Sequence, residues 1–220
     1  MRKIYAVSVL CLMCFTMLAV EFCNTNIASA DLSPEGLKAL KQYLYQNNND
    51  IKAIRKKAEN GDAEAQLNMG RMYNQGEGVS QDYKLAAEWF RKAADQGYAM
   101  AQYNLGVMYD NGQGFEQNYI KAAEWFRKAA DQGNPDAQVN LGIIYYVGQG
   151  FEQNYIKAAE WFRKAADQGD PQAQYNLGYM YYNGQGVSRD YKQATDWYRK
   201  AADQGLPEAK EALNKINSNR

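Results

Sequence analysis

The sequence predicts an all-α protein, an α-solenoid of antiparallel helix pairs, and three observations carry that prediction. A stretch spanning 63–98, AEAQLNMGRMYNQGEGVSQDYKLAAEWFRKAADQGY, returns at 99–134, 135–170 and 171–206, each copy shifted by 36 residues. Every copy divides at a glycine pair, Gly76 and Gly78 in the first, into two segments, the second of which opens at a helix-capping residue in all four copies. Two such helices cannot bury their apolar faces alone, so neighbouring copies must stack.

Residues 1–30 stand outside that pattern. Arg2 and Lys3 precede an apolar run of 17 residues, Ile4 to Val20, and Ala28-Ser29-Ala30 offers small residues at both key positions of a cleavage site. This is the form of a secretory signal peptide cut after Ala30. The rival reading is an uncleaved membrane anchor, because the run just reaches spanning length; the A-x-A and the polar stretch after it favour cleavage. None of Cys11, Cys14 and Cys23 follows the small residue of a bacterial lipoprotein signal, and all three leave with the signal. The exported chain is then held together by packing, with neither thiol nor disulfide.

Residues 31–62 read as a degenerate leading unit. Ser33-Pro34-Glu35 opens a helix to about Gln46, with a cap, a first-turn Pro and a carboxylate at the positive end. Asn47-Asn48-Asn49-Asp50 then predicts a turn, with Asp50 capping a second helix whose end, Lys56 to Gly61, is in register with Lys92 to Gly97. This unit shields the first full repeat, as solenoid ends require.

In the full repeats the first helix is expected over about 63–74 and its equivalents, with Asn134-Pro135 and Asp170-Pro171 writing the start plainly. Second helices begin at the caps Asp82, Asn118, Asn154 and Asp190 and end at Gly97, Gly133, Gly169 and Gly205. Glu88/Lys92, Glu124/Lys128, Glu160/Lys164 and Asp196/Lys200 are spaced for ion pairs on a solvated face. Gly70, Gly106, Gly142 and Gly178 sit inside helices, each at a cost of about 1 kcal/mol against Ala, and so predict a close backbone approach from a neighbouring helix. Trp89, Trp125, Trp161 and Trp197 recur at one position and are expected as core anchors. The Gly-x-Gly pairs lack the spacing and Lys of a phosphate loop and read as tight turns. Residues 207–220 form a single polar closing helix and a frayed tail from Asn217.

The positions constant in all four copies spell A-Q-x-N-x-G, then a Tyr, G-x-G, an Ala and W-x-x-K-A-A-x-Q-G. This pattern resembles the Sel1-like repeat, a relative of the tetratricopeptide repeat, over about two-thirds of the chain. The resemblance implies a tetratricopeptide-like superhelix whose first helices line a concave surface that binds extended peptides. It also implies an exported bacterial scaffold without enzymatic activity.

Specialisation is expected where copies differ. On the first helix the variable rows are Leu67, Tyr103, Val139, Tyr175; then Arg71, Val107, Ile143, Tyr179; then Asn74, Asp110, Tyr146, Tyr182. Spacings of four and three residues put these rows on one helix face. Beside them runs a ladder of Asn68, Asn104, Asn140 and Asn176, unfavourable inside helices. Two explanations stand for the ladder: hydrogen bonds to a peptide laid along the groove, or bonds to the adjacent helix. The stripe grows aromatic along the chain, ending in Tyr175, Tyr179 and Tyr182, either as a partner surface or as packing for the closing helix. The candidate partner-binding set is therefore Asn68, Asn104, Asn140, Asn176, Arg71, Val107, Ile143, Tyr175, Tyr179 and Tyr182.

Composition narrows the function further. With 25 basic and 25 acidic residues there is no footprint for nucleic acid. With no His and no Cys beyond residue 23, no metal, cofactor or Cys–His chemistry is expected. Some cysteine-rich relatives of the repeat are described as penicillin-binding or β-lactamase proteins, which makes an enzyme the rival reading; this chain lacks their paired Cys and any Ser-x-x-Lys. A third reading is a regulator that holds an envelope signalling partner. The expected product is a monomeric protein of the periplasm or the exterior, without stable membrane insertion, that binds a protein or peptide. Mass measurement of the exported form should show residues 1–30 removed and no response to reductant; retention of the intact amino terminus in the membrane fraction would refute the cleaved signal.

Overall fold

In a computed structural model of the chain, residues 34–218 are described, and the signal expected over 1–30 lies outside them. Among the described residues there are ten helices and no strand. They are α1 (Pro34–Glu59), α2 (Ala63–Gln75), α3 (Tyr83–Asp95), α4 (Ala99–Asn111), α5 (Tyr119–Asp131), α6 (Pro135–Val147), α7 (Tyr155–Asp167), α8 (Pro171–Asn183), α9 (Tyr191–Asp203) and α10 (Pro207–Ser218). The described chain forms two compact units, one of residues 34–101 with 113–115, the other of residues 102–112 with 116–218. Within each, antiparallel helix pairs stack side by side, which is the α-solenoid arrangement.

The leading unit differs from expectation. Instead of two helices around an Asn-rich turn, α1 runs unbroken for 26 residues through Asn47–Asp50. Each Asn costs a helix at most about 0.7 kcal/mol, and no Gly or Pro interrupts the segment. Across it, Gln46 Nε2 donates to Asp50 Oδ1 at 3.2 Å, one helical turn away. Ala58 of α1 is buried as expected for a shielding helix.

The repeats follow their capping signals. Asp62, Asn134 and Asp170 accept from the backbone N–H three residues on at 2.7, 2.8 and 2.7 Å, opening α2, α6 and α8. Asp82, Asn118, Asn154 and Asp190 cap the second helices in the same way. Helix α6 ends at Gly148, whose φ of 83° lies in the left-handed region that a side chain resists. The second glycine of the turn has a further use. A Cβ on Gly150 would meet Tyr119 Cβ at 3.0 Å, so the turn lies against the first turn of the preceding repeat's second helix.

The glycines inside the first helices mark a close approach, but by a ring rather than by backbone. A Cβ on Gly106 or Gly142 would stand 2.5 Å from the ring of Phe126 or Phe162, and one on Gly178 would stand 2.9 Å from Tyr198. These aromatic residues sit among the most buried in the chain, with Phe126 1% exposed. The tryptophans one residue earlier form the outer boundary of this core: Trp125, Trp161 and Trp197 are buried while Trp89 is only half-buried. Lys128, Lys164 and Lys200 place their ammonium groups 3.9, 3.7 and 3.8 Å from the Trp125, Trp161 and Trp197 ring centroids. The lysines expected to serve i,i+4 ion pairs thus cover tryptophan faces, where their stems also exclude water.

Two polar systems join successive elements. Gln138 is 4% exposed; its Nε2 donates to the Ala130 carbonyl at 3.1 Å and its Oε1 accepts from Gln168 Nε2 at 2.8 Å. Gln174 repeats this with Ala166 and Gln204 at 3.3 and 2.9 Å, and in the first unit Gln66 does so with Ala58 and Gln96 at 3.0 and 2.8 Å. Arg127 donates to the Tyr145 hydroxyl at 2.7 Å and Arg163 donates to that of Tyr181, each tying a second helix to the next first helix.

Two outcomes follow for chemical denaturation. Gly106→Ala gains about 1 kcal/mol of helix propensity but meets an immobile ring, and overpacking costs about 1–3 kcal/mol; a net loss is expected, larger than for Gly178→Ala. Gln138→Leu strands the Ala130 carbonyl and the Gln168 amide and should lose about 1–3 kcal/mol. An unchanged midpoint for Gln138→Leu would show the amide bonds to be exchangeable for water.

Candidate functional site

In the second unit, α6 and α8 are the first helices of adjacent repeats, and the space between them is open. A cavity of about 250 Å³ is lined by Ile143 and Tyr146 of α6, Phe162 of α7, and Tyr175, Asn176 and Tyr179 of α8. Ile143 and Tyr179 form its open rim at 38% and 40% exposure, while Phe162 is its buried floor. The Tyr146 hydroxyl donates to Gln185 Oε1 at 3.1 Å, and its ring meets Tyr179 edge-on at 6.5 Å and Tyr155 at 5.2 Å. Asn176 Oδ1 accepts from Gln172 Nε2 at 3.3 Å along the same helix.

Burial governs the ionisation of these rings. It pushes the Tyr146 hydroxyl above the ordinary tyrosine value, with Tyr179 adding to the shift. Tyr175 is raised by burial and then by the carboxylates of Glu208 and Glu211. Tyr198, stacked 5.5 Å from Tyr175, is raised strongly by burial. The hydroxyls are therefore neutral donors at physiological pH.

The candidate residues separate into distinct environments. Ile143, Tyr175, Asn176 and Tyr179 come together on the cavity. Tyr182 does not line it: its ring packs 5.3 Å from Tyr191 and against the cluster that holds Ile216 of α10. Tyr175 belongs to both settings, since it also packs against the buried clusters that hold Ile216 and Ala209 of α10. The two explanations for the aromatic stripe are thus divided between residues. Asn140 lies near the Tyr103 hydroxyl of the preceding repeat. Asn104 and Val107 are half-buried on α4; in the first unit Asn68 is half-buried and Arg71 exposed. The row begun by Leu67 is more interior than its sequence spacing suggests, because Leu67 and Val139 are buried.

Sequence reasoning missed Tyr146 and Phe162 as lining residues. Tyr146 was visible as a variable position; Phe162 was masked because its position is an aromatic ring of the core in every copy. It also passed over the turn edge, where Ile120, Val147 and Ile156 are 48%, 53% and 62% exposed. Beside them an open groove of about 570 Å³ is lined by residues 153–156 and 186–188. The signal there was an aliphatic residue in the first turn of α5 and α7 where α3 and α9 carry Lys84 and Lys192.

Among the described residues, no group of three or more His, Cys, Asp or Glu could hold a metal ion, and no helix is long and apolar enough to cross a membrane. Comparison with curated proteins gives no match. Among solved structures, the chain is similar to a protective antigen of uropathogenic Escherichia coli strains displaying an SLR fold, at 43% identity and a TM-score of 0.76, over 77% of this chain and 36% of that one. It is similar also to a Sel1 repeat protein from Oxalobacter formigenes, at 37% identity and a TM-score of 0.69, over 76% of this chain and 48% of that one. The chain therefore spans about a third and about half of the length of these two relatives. The Sel1 repeat family model matches residues 63–98, 99–134, 135–170 and 171–206, the four blocks that share the glycine–ring contact, and the chain belongs to the Sel1 repeat family.

Proposed function

We propose that this protein is an exported, non-enzymatic scaffold that binds an extended polypeptide on its first-helix face, with the strongest anchor in the cavity between α6 and α8. The Sel1 repeat fold generally mediates protein–protein interaction, and scaffolds built from it are generally non-catalytic. The observation that carries the site is the coincidence of an open cavity with variable positions: Ile143 and Tyr179 vary between copies and form its exposed rim. Exposed aromatic surface at such a place favours a covering partner. Export rests on the amino-terminal pattern of charge, apolar run and Ala28-Ser29-Ala30.

The test is affinity capture from envelope and culture fractions, followed by quantitative binding of the captured protein to two variants. Tyr179→Ala removes an exposed ring that does not support the closing helix, and Glu124→Ala on α5 serves as the control. Loss of a true anchor should weaken binding by about 2 kcal/mol, roughly thirtyfold. Equal affinity of the two variants would move the binding site to the turn edge or the outer face.

A further inference from the structure

We infer that the cavity between α6 and α8 receives the cationic side chain of a Lys- or Arg-bearing peptide segment, with its stem against Ile143 and Phe162 and its charge among Tyr146, Tyr175 and Tyr179. The inference rests on the proposed use of this face for an extended polypeptide and adds the chemistry of the residue bound there.

Elsewhere in this unit, three tryptophans and two tyrosines at the edge of the core carry cations of the chain itself. Lys128 covers Trp125, Lys164 covers Trp161 and Lys200 covers Trp197, at 3.7 to 3.9 Å. Arg127 and Arg163 lie 6.0 and 5.5 Å from the Tyr145 and Tyr181 centroids. The cavity rings have other neighbours: Tyr146, Tyr175 and Tyr179 meet further rings and the amide of Gln185. The sequence removes a cation from the same row, which begins with Arg71 and ends with Tyr179.

The charges that bear on Tyr175, at the α10 side of the cavity, are acidic. Glu208 and Glu211 of α10 bear on the hydroxyl of Tyr175, which packs against the cluster that holds Ala209. An acidic peptide would face those carboxylates at close range, whereas a cation gains both the ring faces and the negative field. The size fits one side chain. At about 250 Å³ the cavity is below the range of about 300–1,000 Å³ usual for small-molecule sites. Its lining combines the apolar surfaces of Ile143 and Phe162 with three tyrosine rings, which matches a long side chain with an aliphatic stem and a charged head.

The probe is a library of random dodecapeptides displayed on phage, selected on the immobilised protein; recovered peptides are then synthesised and titrated. A shared Lys or Arg beside apolar residues is expected, and its replacement by Gln should weaken binding about tenfold. Tyr179→Leu, which keeps apolar bulk but removes the ring, and the exposed pair Glu208→Gln with Glu211→Gln should each weaken the basic peptide, with circular dichroism confirming helicity. Peptides without a common basic residue that still depend on Tyr179 would overturn the cation and keep the face. Binding indifferent to Tyr179→Leu, or no peptide recovered, would overturn both. Basic peptides sensitive to the Glu changes alone would reduce the effect to surface charge and overturn the cavity assignment.

Discussion

The spacing within each helix pair depends on the missing Cβ of the glycine in the first helix. At Gly106 and Gly142 the ring of Phe126 or Phe162 occupies the space that any other side chain would need. Helix propensity argues against Gly at these places by about 1 kcal/mol, so the sequence accepts a local cost to bring a large ring onto a bare backbone. The return is burial of a whole aromatic side chain, worth about 1.5–3 kcal/mol, and a helix separation that admits little variation. Everything outside the pair inherits that geometry.

Apolar contact alone leaves the stacking of one pair on the next poorly specified, because Ala-rich faces can slide. The Gln138 and Gln174 amides remove that freedom. Each is buried and each uses both ends, one on a carbonyl of the preceding second helix and one on the glutamine that closes its own repeat. In a low-dielectric setting a misregistered stack would leave these groups unpaired, at about 1–3 kcal/mol apiece. The Arg127–Tyr145 bond adds a second tie at the periphery. Packing sets the distance and amides set the register.

With the core positions committed in this way, variation is confined to the first-helix rim and the turns. Ile143 and Tyr179 differ from their counterparts in every other copy, and Tyr146 from those of the first two, without disturbing the Gly142–Phe162 contact. The cavity is thus a gap between two repeats whose floor is structural and whose rim is free to change. That separation explains why Phe162, at a position that is aromatic in all four copies, and a variable residue, Tyr179, line the same space.

The sequence by itself determined the helix pairs, most of their caps and the four repeat boundaries, because those signals are local and recur from copy to copy. It also marked the in-helix glycines as close approaches. Local signals failed at Asn47–Asp50, where a run of turn-favouring residues lies inside α1 because nothing there forbids a helix and the Gln46–Asp50 bond supports one. Tertiary structure alone decided which ladder is buried: Gln66, Gln138 and Gln174 reach partners 8 and 30 residues away. It also decided how the aromatic stripe divides. Tyr175, Tyr179 and Tyr182 share a helix face, but α10 and α6 stand on different sides of it, so Tyr182 is packed and Tyr179 is open. Such choices depend on what lies opposite a side chain, and periodicity along one helix carries no record of that.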